Sequence, residues 1–245
     1  MATRIVACHQ PNFLPWLGYF AKMARSYVFC LLDDVQFTQG HGRHNWTSRV
    51  RILGANGPIW LSAPVRRAGE GLQLVSQLRT EQNDARWLQK MLKTITTAYG
   101  RAPCFREIFE PLADTLSAHS GNLCDTNIAL IRCVHAMLGL ETQLEKSSAL
   151  AVEGTGNQRL INLVSRLGGD RYLSGDGADD YQVAVEFHAA GIDLERMGFR
   201  HPVYPQRHGT EFVTGLSVLD ALCNIGAAAT RELLRSPRDA AIASI

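Results

Sequence analysis

Apolar and polar positions follow two different periods along this chain, and the changes between them divide it. Ile5-Val6-Ala7-Cys8 and Val28-Phe29-Cys30-Leu31-Leu32 are continuous apolar runs of strand length. Residues 17–25 between them have the pattern of a short helix, closed by Ser26 and Tyr27. Two such runs separated by a helix predict a parallel βαβ unit. The link leaving the first run is the odd part. In His9-Gln10-Pro11-Asn12-Phe13-Leu14-Pro15-Trp16, an imidazole, two prolines and two aromatic rings stand between strand and helix. Ligands of open parallel sheets bind outside the carboxyl ends of the strands, so this loop predicts a site.

A polar stretch at 38–48 follows, too long for an idle turn. Val50, Ile52 and Ile59-Trp60-Leu61 then flank Gly54-Ala55-Asn56-Gly57, which predicts a hairpin whose turn residues can take positive φ. Leu72, Leu74 and Ser76 alternate as a further strand. From 84 to 138 the period is helical. Trp87, Leu88, Met91, Leu92, Ile95, Ala98 and Tyr99 mark one helix face, with Asn83 or Asp84 placed to cap it and Gly100 to end it. Phe105, Ile108, Phe109, Leu112 and Leu116 mark a second helix, which Pro111 is expected to break or restart. Ile128, Ile131, Val134 and Leu138 mark a third, stopped at Gly139.

Beyond this the α/β rhythm returns. Leu160, Ile161, Leu163, Val164 and Leu167 predict a helix ended by Gly168-Gly169. Arg171-Tyr172-Leu173 is a short strand running into Ser174-Gly175-Asp176-Gly177, with a helix expected at 181–190 and a strand at 192–197. The last helices fall within 217–234, with Gly226 as a joint. The reading is an α/β fold: a mostly parallel, Rossmann-like sheet flanked by helices, with a β-hairpin and a helical insertion. Residues 1–83 form its N-terminal half with the hairpin, 84–140 a helical insertion or cover, and 141–235 the C-terminal half completing one domain. The tail at 236–245 is weakly patterned and is expected to be mobile.

Composition narrows the function. Apolar residues make up 46% of the 245 and charged residues 20%, an ordinary globular balance. A net charge of +2 gives no footprint for an extended nucleic-acid surface. No run approaches the length of a membrane span, and no basic start precedes an apolar leader. The six cysteines are scattered without metal or redox spacing, which fits buried reduced thiols in a cytoplasmic protein.

Three polar clusters follow candidate parallel strands: His9-Gln10, Asp33-Asp34-Val35-Gln36 and Ser174-Gly175-Asp176-Gly177. If the strands share one sheet, all three line one edge. His9 is a candidate general acid/base or oxyanion donor, and a structural histidine bonded to a neighbouring carbonyl is the alternative. Asp33 or Asp34, with Asp34 preferred, could orient His9, bind Mg²⁺ or hold a ribose, or could cap the turn that follows. The Ser174-Gly175 turn, at the head of a helix, suits a phosphate, though many βα turns need glycine for backbone reasons alone. His201, Tyr204 and Gln206 lie in a second proline-pinned stretch, as substrate contacts or as loop decoration. Trp16 is a candidate pocket wall. His41 and His44 lack a third ligand at sensible spacing, so no metal site is assigned and the cofactor is unknown.

The motifs His9-Gln10-Pro11-x-x-x-Pro15-Trp16-x-Gly18-Tyr19-Phe20 and Asp34-Val35-Gln36-Phe37 resemble the WbqC-like family of bacterial proteins. So do Asn45-Trp46-x-x-Arg49, Trp60-Leu61-x-x-Pro64-Val65, Tyr172-Leu173-Ser174-Gly175 with Tyr181, and His201-Pro202-x-Tyr204-x-Gln206. Phe212, and Leu216-Ser217-x-Leu219-Asp220 with Asn224 and Gly226, complete a likeness over nearly the whole chain. The resemblance implies a place in surface-polysaccharide or specialised-metabolite biosynthesis, beside enzymes that modify amino sugars. It departs at Thr38-Gln39-Gly40, where the family commonly carries basic residues, and at Ser48, where asparagine is usual. A histidine loop between strand and helix also has the layout of nucleotidyltransferases, without their second histidine.

The expectation is a transferase of an acyl, aminoacyl or nucleotidyl group onto an activated, anionic or nucleotide-linked amino sugar or related metabolite. His9 and Asp34 would be catalytic. Gln10, Trp16, Tyr19, Arg49, Ser174, Gly175, Tyr181, His201, Tyr204 and Gln206 would bind substrate. The alternative is a non-catalytic binding partner of a neighbouring biosynthetic enzyme.

Overall fold

The computed structural model describes residues 3–37, 45–66, 73–80, 85–118, 121–178, 183–209 and 211–235. In chain order the elements begin with β1 (Ile5–His9), α1 (Leu17–Ala24), β2 (Val28–Leu31) and the antiparallel hairpin β3 (Arg49–Gly54) and β4 (Gly57–Ser62). Helices α2 (Ala85–Tyr99), α3 (Phe105–Ala118) and α4 (Leu123–Met137) come next. Then follow β5 (Gln143–Lys146), the one-turn α5 (Ser147–Leu150), α6 (Gly156–Arg166), β6 (Arg171–Ser174), α7 (Ala184–Ala189), β7 (Asp193–Arg196) and α8 (Val218–Leu233).

Five strands form one parallel sheet in the order β5-β2-β1-β6-β7. The chain winds outward from β1 to β2 and β5, then crosses back to β6 and β7 on the other side. β1 and β6 therefore flank the point where the winding reverses, which is where such sheets take their ligands. The protein is α/β, as the apolar runs predict, and those runs are continuous because both faces of the sheet are covered. Val6 and Cys8 pack with Val28, Cys30 and Tyr172 against α6 and α7. Ala7, Phe29, Leu31 and Leu173 point the other way, into a larger core shared with α1, the hairpin, helices α2 to α4 and α8.

Several expectations need correction. β5 has no counterpart in the apolar pattern, because Gln143-Leu144-Glu145-Lys146 is an edge strand whose outer positions stay exposed. The strand expected around Leu74 and Ser76 is a single 3₁₀ turn at Val75–Gln77, preceded by one bridge between Gln36 and Leu74; Leu72 lies outside the described residues. Pro111 does not break α3. It sits on the exposed side of the helix, as does Glu107, whose carbonyl loses its partner to water rather than to the core. The helix expected at 181–190 is α7, beginning at Ala184. The capping positions 83 and 84 and the tail at 236–245 fall outside the described residues. Gly226 is a joint as expected: it takes φ +78° inside α8, where a Cβ would lie 3.1 Å from Cys104 Sγ.

Candidate ligand site at the strand switch point

The loop after β1 is held from several sides. Asn127, fully buried on α4, donates through Nδ2 to the carbonyls of Pro11 and Thr47, both at 2.8 Å. Ser217 Oγ, at the cap of α8, donates to Leu14 O at 2.7 Å, and Val218 N–H to Pro15 O at 2.8 Å. Phe13 N–H donates to Trp46 O at 3.0 Å. Under these restraints Leu14 takes φ +42°, a left-handed conformation that costs an ordinary residue roughly 1–3 kcal/mol. Strain fixed by buried donors keeps the side chains on this loop in place before any ligand arrives.

His9 closes β1 and is half-buried. Its ring lies edge-on to Tyr19 (centroids 4.9 Å apart) and Trp16 (5.7 Å). Nδ1 is 3.2 Å from Gln10 O. A carbonyl only accepts, so in the neutral ring Nδ1 carries the proton and Nε2 keeps its lone pair. Burial, and then the Lys22 ammonium, push the imidazole pKa down to about 3, against the upward pull of the Gln10 bond. The ring is neutral at physiological pH. Tyr19 Oη donates to the same Gln10 carbonyl at 3.2 Å. The Gln10 side chain accepts from Thr47 Oγ1 at 3.2 Å and reaches Gln36 O at 3.4 Å, which ties it into the loop framework.

Lys22, on α1, is a functional candidate that sequence reasoning passed over. It is 4% exposed and donates from Nζ to Cys8 O at 2.8 Å. Burial pushes its pKa down to about 8, with Cys8 and Asp176 pulling the other way. The signal was available: it is the lone charge in the helix Leu17-Gly18-Tyr19-Phe20-Ala21-Lys22-Met23-Ala24.

The acidic pair serves the frame. Asp33, 3% exposed, accepts from Ser148 N–H (2.9 Å), Ser148 Oγ (2.6 Å) and Ser147 Oγ (3.2 Å), and so caps α5. Asp34 accepts from Ser147 Oγ and pairs with Arg159 Nη2 at 2.6 Å. The orienting bond from Asp34 to His9 expected from the sequence is not formed: among the described residues the ring bond of His9 goes to Gln10, and Asp34 is held by Ser147 and Arg159.

Ser174 is fully buried, donates to Gly175 O and accepts from Arg196 Nη1, each at 3.2 Å. The turn after it enters a 3₁₀ turn at Asp176–Ala178, and residues 179–182 lie outside the described residues. Asp176 uses its carboxylate to hold Gly198 N–H (2.7 Å) and Phe199 N–H (2.9 Å) beyond β7. Tyr181 lies outside the described residues.

Phe199 joins the two proline-pinned stretches. A Cβ on Gly18 would lie 2.8 Å from both the Phe199 ring and Trp16 Nε1, so only glycine admits this approach. Phe199 in turn meets His201, centroids 5.7 Å apart. His201 Nδ1 lies 3.2 Å from Pro202 O, its Nε2 is buried without a partner among the described residues, and burial lowers its pKa. Tyr204 Oη and Gln206 Nε2 each donate to Asp220 Oδ2 at 2.9 Å. Asp220 is fully buried, which raises its pKa, and it was not among the expected site residues. On the other side of the loop Trp16, Trp46 and Trp60 form a line with centroids 5.3 and 6.1 Å apart. The Arg49 guanidinium lies 4.4 Å over the Trp60 ring.

A cleft of about 1230 Å³ along the outer edge of β7 reaches Phe199 and His201 but not His9. Among the described residues no group of three or more His, Cys, Asp or Glu is placed to hold a metal ion; His41 and His44 fall outside them. No helix of the described residues is long and apolar enough to cross a membrane.

A parallel sheet with polar loops gathered where its winding reverses is a Rossmann-like α/β protein, and the switch point is where such folds take their ligands. Residues 10–232 match the model of the WbqC-like protein family, and the chain belongs to that family. It is similar to the "Uncharacterized protein Rv1507c" of Mycobacterium tuberculosis (strain ATCC 25618 / H37Rv), at 30% identity over 228 residues, spanning 91% of this chain and 95% of that relative. No solved structure matches it.

Proposed function

We propose that the protein is a transferase that moves an acyl, aminoacyl or nucleotidyl group onto an activated amino sugar or related metabolite, with His9 as its base. The observation that carries this reading is the His9 ring at the switch point, neutral, with Nδ1 committed to Gln10 O and a lone pair on Nε2. That tautomer suits a base better than an oxyanion donor. An acceptor amine or hydroxyl attacks the acyl carbon or the α-phosphorus and gives its proton to Nε2. The carrier thiol or pyrophosphate leaves with its bonding electron pair and takes a proton back from the imidazolium. Trp16 and Tyr19 wall the ring, and Arg49 on Trp60 offers a cation beside an aromatic surface. Asp34 acts at a distance, by holding α6 through Arg159 and the start of α5 through Ser147.

The test has two stages. A thermal-shift screen against nucleotides, nucleotide sugars and acyl carriers identifies the ligand, since one hundred times Kd stabilises by about 2.7 kcal/mol. Turnover of that ligand pair by wild type and His9→Ala is then compared. An inactive variant with an unchanged Tm supports the base role, and a fully active one removes it.

The exposed Ile59 (39%) and Trp60 (46%) on β4 favour a second reading, an accessory protein docked on a neighbouring enzyme. That reading expects co-purification lost on Trp60→Ser and indifference to His9→Ala.

A further inference from the structure

Hydrogen bonds to β2 come from alternate residues of β1: Tyr27 N–H donates to Ile5 O and Leu32 N–H to His9 O, each at 2.8 Å. Ile5, Ala7 and His9 thus face β2, and the alternate residues Val6 and Cys8 turn their carbonyls toward β6. The ladder between β1 and β6 ends at Val6 and Tyr172, although β1 runs on to His9 and β6 to Ser174. The strands part there, and at Cys8 the next rung is occupied by Lys22 Nζ at 2.8 Å.

A carbonyl left open by a parting ladder needs only a neutral donor, such as a glutamine. An ammonium 4% exposed is a costly substitute, because its desolvation is several kcal/mol unless the charge is matched. Among the described residues the Cys8 bond is the one hydrogen bond of Nζ, and no carboxylate lies within ion-pair distance of it. Two of its three protons are left for a ligand. Gly175 lies beside the ammonium. Its φ is not in the left-handed range, and a Cβ there would meet nothing within 4 Å except Lys22 Nζ, at 3.9 Å. Neither a left-handed φ nor a clash requires glycine, and any side chain there would stand against the ammonium.

We propose that Lys22, reached across Gly175 in the gap between β1 and β6, is the anchor for a phosphate or pyrophosphate group of the ligand. The location rests on the site reading above, but binding and not turnover carries the test. Once bound, the anion offsets the Lys22 charge beside His9, so the base gains strength only when its substrate is in place.

Inorganic pyrophosphate is the probe. Titration calorimetry of the full chain should show binding that weakens at least tenfold in Lys22→Met and in Lys22→Gln. The glutamine variant keeps a donor for Cys8 O and guards against a folding defect. Gly175→Ala should weaken binding with an unchanged Tm. Trace acetylation with acetic anhydride, read by mass spectrometry, should show Lys22 of the wild type protected by pyrophosphate. Wild type that binds no pyrophosphate, unprotected Lys22, or a Lys22→Gln variant that binds like wild type overturns the proposal. His9→Ala should still bind pyrophosphate. If it does and yet turns over normally, the base assignment falls while the anion anchor stands.

Discussion

Two histidines in this protein sit in loops of the same texture and meet different fates. His9 and His201 each stand beside prolines, each place Nδ1 3.2 Å from a carbonyl next along the chain, and each have a pKa lowered first by burial. Their neighbours separate them. His9 has a cation beside it, Lys22, which drives the ring further toward neutrality. His201 has an anion nearby, Asp220, whose carboxylate already holds Tyr204 and Gln206. Local sequence sets how a ring is tied down, and packing from distant elements decides what the ring is left able to do. The first loop presents a neutral ring at the switch point, and the second is organised by a buried polar network that fixes the chain between β7 and α8.

The largest expected effect separates the two directly. His9→Ala should cost roughly 10²–10⁴-fold in turnover once a substrate pair is known, the usual weight of a general base, with little change in Tm. His201→Ala should leave most of the turnover and lower Tm instead. Equal losses of turnover from both would dissolve the distinction.

A second test attacks the network. Asp220→Ala leaves the Tyr204 hydroxyl and the Gln206 amide without their shared acceptor in a fully buried place. Urea unfolding should show about 3 kcal/mol lost. Asp220→Asn, which keeps one acceptor oxygen, should recover part of that. A neutral outcome for Asp220→Ala would make the second loop decoration after all.

These residues also show what was legible in the sequence. β1 and β2 could be read because both faces are buried, and the loop between strand and helix could be read because prolines and an imidazole are costly there. β5 could not, since none of its four positions is fully buried and Gln143-Leu144-Glu145-Lys146 looks like surface. His9, Gln10, Trp16 and Tyr19 come together in the structure and lie within a few residues of one another in the chain. Asp34 was a reasonable partner for His9 by position along the sheet edge. Its true partners, Ser147 and Arg159, come from more than a hundred residues away and carry no local mark. Lys22 and Asp220 were missed for a common reason: a charge inside a helix reads as a solvated face until packing shows it buried.

The finest test of the comparison reads the cation beside one ring against the anion beside the other. A histidine whose folded pKa lies below its unfolded value binds its proton more readily in the unfolded chain. Stability is then present above the unfolded pKa of about 6.5 and is lost as pH falls toward the folded pKa. For His9 that window runs from about 6.5 down to about 3. Removing the ring with His9→Asn should flatten the unfolding free energy across it by up to one proton, about 1.4 kcal/mol per pH unit. Carboxylates titrate in the same range, but they are common to variant and parent and cancel in the difference. His201→Asn should flatten the curve over a narrower window, because the Pro202 carbonyl and then Asp220 pull that pKa back up against burial. Lys22→Gln should shrink the His9 window without touching that of His201, since the ammonium acts on one ring alone. Identical profiles for His9→Asn and His201→Asn would mean that burial governs both rings and that the charges beside them do not distinguish the two loops.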